Sequence, residues 1–179
     1  MATTASTSAS TSTSTTASRD YTVRAVPAAV LDGLRVRDDA GCPVTPFVDH
    51  EGGAPLRCCL RRSAVGERIA LVSYAPLRRW AAETGVEPGA YDEQGPVFVH
   101  AESEGCTGPG PGAAGAGFPF GDAHRTVRRY SGEGRILGGA LVDAGELDAA
   151  FREAFDGPDV VFVHVRAVEY GCFLYEVRR

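Results

Sequence analysis

Two four-residue runs in this chain are identical, Val97-Phe98-Val99-His100 and Val161-Phe162-Val163-His164. Alternating β-branched and aromatic residues predict a strand, and a strand sends successive side chains to opposite faces. Each copy therefore sets Phe and His on one face and Val on the other. The second copy opens the stretch from Val160 to Arg179, which reads as two strands around a tight turn near Glu169 to Gly171. If that turn holds an even number of residues, Phe173, Tyr175 and Val177 share the face of His164. The histidine then lies on an aromatic floor beside Arg166, a setting suited to a planar or anionic ligand.

The remainder of the chain is read around these strands. Residues 1–20 are almost entirely Ala, Ser and Thr up to Ser18 and cannot bury a core, so a disordered tail is expected there. A single domain is expected over 21–179. Strands are predicted at Tyr21–Val26, Leu56–Arg61, Glu67–Tyr74 and Val97–Ala101, with a hairpin made by His124–Tyr130 and Arg135–Val142. Short helices are predicted at Pro27–Leu34, at Pro76–Thr84 (Pro at N1, Gly85 after the end) and at Gly145–Phe155. Arg35 to Pro55 and Glu102 to Gly121 read as loops. The run Gly110 to Gly115 fits G-x-G-x-x-G in letters only, since it neither follows a strand directly nor opens a helix. Hairpins dominate and helices are few. The expected class is α+β, with a mainly antiparallel sheet.

Several chemistries are excluded or disfavoured by composition. All 18 basic residues are arginine. Without lysine there is no Schiff base and no phosphate-binding lysine of a P-loop or kinase. The net charge of -5 shows no basic footprint for nucleic acid. No segment reaches the roughly 18 apolar residues of a membrane span. The N-terminus lacks the basic and apolar regions of a signal peptide, so the expected compartment is the cytoplasm. There Cys42, Cys58, Cys59, Cys106 and Cys172 are expected to be reduced.

The candidate catalytic residues are His164, His100 and Cys59. Imidazole serves acid–base work, and Cys59 lies between Arg57 and Arg61, cations that lower a thiol pKa. The candidate ligand-binding residues are Arg57, Arg166, Phe162 and Tyr175, because a strand arginine needs an anionic partner and pairs carboxylate or phosphate in bidentate fashion. Metal donors are available in His100, His164, Cys59, Cys106 and Cys172, with His50 and His124 in reserve. None of them has zinc-finger or H-E-x-x-H spacing, so no metal ligand set is assigned and no cofactor follows.

Arg57-x-Cys59-Leu60, Gly66-Glu67-Arg68 before an aliphatic strand ending in Tyr74, Gly95-Pro96-Val97-Phe98-Val99-His100, and Val163-His164-Val165-Arg166 followed by Tyr170-Gly171-Cys172 form a set. Together they resemble the bacterial family catalogued as domain of unknown function 1203, over about Tyr21 to Arg179. The family pattern has Pro-Cys-Arg-x-Cys, and here Leu56 stands in place of the first Cys. The resemblance implies a compact single-domain bacterial protein and no particular activity. The leading functional expectation is an enzyme or binder acting on a small anionic molecule beside His164 and His100. An accessory domain with structural histidines and a Cys/His metal protein are the other readings.

Overall fold

The computed structural model describes residues 20–110 and 117–179. Residues 1–19 of the Ala/Ser/Thr tail, and most of the Gly110 to Gly115 run, lie outside the described residues. The fold is α+β, with eight strands and three helices among the described residues. In chain order these are β1 (Thr22–Arg24), α1 (Ala28–Leu34), β2 (Phe47–Asp49), β3 (Glu67–Tyr74), α2 (Pro76–Thr84) and β4 (Gly95–His100). They are followed by β5 (Arg125–Tyr130), β6 (Ile136–Val142), α3 (Leu147–Asp156), β7 (Phe162–Ala167) and β8 (Phe173–Arg178). Among the described residues no helix is long and apolar enough to cross a membrane.

The strands form two antiparallel sheets, one of order β1-β8-β7-β5-β6 and one of order β2-β3-β4. The two histidine strands therefore belong to different sheets. β7 is an inner strand, flanked by β5 and β8, and both of its faces are buried. On one face Val163 and Val165 join Val127, Tyr175 and Val177 beneath Leu147, Phe151 and Ala154 of α3. On the other, Phe162 packs 4.7 Å from the Trp80 ring of α2 and stacks on Tyr130 at 4.8 Å. Pro76 at N1 and a left-handed Gly85 (φ 73°) bound α2 as the sequence predicts.

Three local readings differ in the structure. Leu56–Arg61 is a tight turn and not a strand. Its Leu60 amide donates to the Leu56 carbonyl, and Leu60 itself sits at φ 60°. β2 falls inside the stretch read as loop, since its three residues are too short to show a period. The closing hairpin pairs His164 with Glu176 and Val165 with Tyr175, and a bulge then sets Arg166 opposite Phe173. The extra residue, Leu174, shifts the parity. Phe173 reaches the His164 face, its ring 5.0 Å from the imidazole, while Tyr175 takes the opposite face with Val165.

Candidate functional site

The turn from Pro55 to Arg62 is pinned on two sides. The Arg57 amide donates to the Phe98 carbonyl of β4, and the Val26 amide donates to the Arg57 carbonyl. These bonds hold Cys58 and Cys59 against the end of β4, where His100 lies. A non-glycine residue at positive φ costs about 1–3 kcal/mol, and such strain collects where a fixed geometry is needed. Leu60, next to Cys59, is in that state.

His100 Nδ1 lies 3.1 Å from Cys58 Sγ and 3.9 Å from Cys59 Sγ, and the two sulfurs are 4.0 Å apart. Cys106, on the loop after β4, adds a third sulfur. All four donor atoms lie within 4.8 Å of one another. On the far side of the ring, Nε2 is 3.1 Å from Glu67 Oε1 and 2.9 Å from Arg61 Nη2. Arg61 also pairs with both oxygens of Glu67. β3 opposes β4 with Ile69 across from His100, so Glu67, two residues from Ile69, projects from the same face of the sheet as His100.

The electrostatics follow from these contacts. The Arg61 pair holds the Glu67 carboxyl well below its usual range, at about 2. The neighbouring Cys58 thiol, with smaller help from the Arg61 amide and the His100 and Arg61 charges, pulls the Cys59 thiol below its ordinary range. Cys58 moves the other way, pushed up by its bond to the Cys59 sulfur and by burial. The two ring nitrogens of His100 share one mobile proton when the imidazole is neutral. Arg61 can only donate, so Nε2 either accepts from Arg61 or gives its proton to Glu67; in the second tautomer Nδ1 offers its lone pair to the sulfurs.

A thiol with a depressed pKa contributes stability in full above the ordinary thiol value of 9.0, and that stability is lost as pH falls through the depressed value. In the metal-free chain, thiolate ultraviolet absorbance is expected to show one group titrating below the ordinary thiol range, and Cys59→Ser to abolish that step. A first titration only above pH 8 would refute this assignment.

Cys58 and Cys106 also line a cleft of about 340 Å³ between the segment 23–35 and the loop 103–109. Cys59 and His100 lie behind them. The site is therefore approached from the Cys58 and Cys106 side.

The other sequence candidates are placed elsewhere. His164 has no exposed surface and is enclosed by the rings of Tyr130, Phe162 and Phe173. Its Nε2 lies 3.5 Å from Glu176 Oε2, too long for a good hydrogen bond, and Nδ1 has no partner. Burial lowers its pKa against the raising effect of Glu176, which keeps the ring neutral. Phe162 and Tyr175 are wholly buried in the core. Arg57 is buried, and its guanidinium donates to the carbonyls of Phe173 and Pro55. Arg166 donates to Gly171 O at 2.8 Å and pairs with Glu93. Leu56 is fully buried in the apolar cluster around Ile69 and Val99. The structure thus joins His100 with Cys59 and separates both from His164. Sequence reasoning missed Glu67 and Arg61 as partners of His100. The antiparallel β3–β4 pairing was the signal that could have found Glu67.

A family model described as "Protein of unknown function (DUF1203)" matches residues 53–179, a span that contains all four donors. No curated protein and no solved structure matches the chain.

Proposed function

The chain belongs to this family of proteins of unknown function, and we propose that it is a metal-binding protein whose centre holds one thiophilic divalent ion, zinc in the first place. The observation that carries the reading is the convergence of three sulfurs and one imidazole nitrogen within 4.8 Å. A tetrahedral zinc with Zn–S near 2.3 Å and Zn–N near 2.0–2.1 Å requires ligand separations of about 3.8 Å between sulfurs and about 3.5 Å between sulfur and nitrogen. The sulfur–nitrogen separations of 3.1 and 3.9 Å bracket the second value, the Cys58–Cys59 separation of 4.0 Å lies just above the first, and all four donors lie within 4.8 Å. Soft thiolates with one imidazole select zinc over magnesium or calcium, which take oxygen. Glu67 supplies the carboxylate that orients a metal-binding histidine through its other nitrogen, and Arg61 fixes that carboxylate.

Four protein donors fill a tetrahedron. The centre therefore fastens the turn 55–62, β4 and the Cys106 loop together. Cys106 is the partly exposed donor and borders the cleft, so it is the ligand that leaves first. Cys58 and Cys106 must shed protons when metal binds, so affinity rises with pH. Five free cysteines suit a reducing compartment such as the cytoplasm.

A second reading rests on the depressed Cys59 thiol beside His100. Without metal, Cys59 is a thiolate nucleophile, His100 its acid–base partner and Glu67 the group that orients the ring. The donor set of bound metal decides between them. X-ray absorption of the chain loaded with one equivalent of zinc is expected to give three sulfurs and one nitrogen, whereas a catalytic thiol binds no stoichiometric metal.

A further inference from the structure

A second cleft, of about 220 Å³, opens at the other end of β7, walled by Tyr74, Phe173, Gly171 and Cys172 and floored by Arg166. Its charge is unbalanced. Arg166 of β7 and Arg128 of β5 share a single carboxylate, Glu93, which is 38 % exposed on the loop before β4. Arg166 is itself buried, and its Nε has no hydrogen-bond partner. Behind the Cys172–Phe173 wall lies Arg57, 3 % exposed, whose guanidinium meets two carbonyls and, among the described residues, no carboxylate. Arg128 and Arg166 thus face one partly exposed acid, Glu93, and Arg57 adds a further buried charge that meets only carbonyls.

Buried arginine charge without full compensation is costly, and the cost is relieved by an oxyanion bound in bidentate fashion. We infer that this cleft binds a small molecule through a carboxylate or phosphate group, which takes over from Glu93 as counter-ion of Arg128 and Arg166. Glu93 is the internal stand-in for that group. Tyr74 and Phe173 flank the same cleft and offer ring surface to an organic body attached to the anion. The site uses other ligands than the Cys58/His100 centre, since none of Glu93, Arg128 and Arg166 is a metal donor.

The experiment is calorimetric titration of the zinc-loaded full chain with two probes, inorganic phosphate and benzoate. These distinguish a bare oxyanion from one carrying a planar body. Saturable 1:1 binding of at least one probe is expected. Glu93→Gln removes the competing carboxylate and should tighten binding about tenfold, whereas Arg128→Gln removes a charged donor and should weaken it about tenfold. Both positions are partly exposed, and the circular dichroism spectrum and thermal midpoint of each variant, taken first, confirm that the titrated chain is folded. Probe affinity should be the same for the wild-type chain with and without zinc, which separates this site from the metal centre. Absence of saturable binding in both the wild type and Glu93→Gln would overturn the inference. So would equal affinity in the wild type, Glu93→Gln and Arg128→Gln.

Discussion

Replacing His100 with alanine is expected to weaken zinc binding by at least about a hundredfold. Loss of an outer-shell partner alone costs up to that factor, and His100 is a donor itself. The effect on stability follows from linkage. A chain kept in zinc at about a hundred times its dissociation constant gains about 2.7 kcal/mol. For a domain of this size that is about 5–10 °C in thermal midpoint. A chelator should therefore lower the wild-type midpoint by that amount and the His100→Ala midpoint by no more than about 1–2 °C. Cys59→Ser should behave in the same way, since it removes one of the three sulfurs. Equal zinc affinity in the wild type and both variants, measured by competition with a chromophoric chelator, would remove the centre from the account.

The second large effect concerns the repeated strand motif. Phe162 is fully buried, stacked on Tyr130 and packed against Trp80. Phe162→Ala should cost about 3–5 kcal/mol, read from the denaturant midpoint at constant slope. Its neighbour on the same face should behave in the opposite way. His164 buries two ring nitrogens without a good hydrogen bond, and Glu176 keeps Arg178 at 2.5 Å if His164 is lost. Replacing a polar group whose hydrogen bonds are unmade with an apolar one of similar volume is near neutral or stabilising. His164→Leu should leave the midpoint level or raise it, with zinc affinity unchanged. A loss of stability as large as that of Phe162→Ala would show that His164 carries an interaction absent from this account.

The sequence made the element types legible where local chemistry decides them. Pro76 and Gly85 announce the ends of α2, and the Leu147, Phe151, Ala154 stripe announces α3. Register was less legible. The extra residue at Leu174 reverses the parity of the closing hairpin, and no propensity marks it. Leu56–Arg61 has the composition of a strand, yet the hydrogen bonds of Leu56 and Leu60 close it into a turn. The echo of His100 in His164 predicts like faces on two strands, and both histidines do share a face with their phenylalanine. Periodicity says nothing about which sheet a strand joins, and here the two strands join different ones. The donor set had no local spacing to read. Cys58 and Cys59 come from a turn, His100 from a strand end and Cys106 from a loop. Their meeting depends on the Arg57–Phe98 bond that docks the turn on β4. The partners of the two buried arginines were also out of reach, because Glu93 lies in a loop with no pattern.

The most direct test is the first coordination shell of the metal in the intact chain. Zinc-edge X-ray absorption on protein loaded with one equivalent is expected to show three sulfur scatterers near 2.3 Å and one imidazole nitrogen near 2.0 Å, and Cys106→Ser to show two sulfurs. A shell of oxygen and nitrogen only, or zinc that dialyses away from the wild-type chain at neutral pH, would contradict a Cys58, Cys59, Cys106, His100 centre.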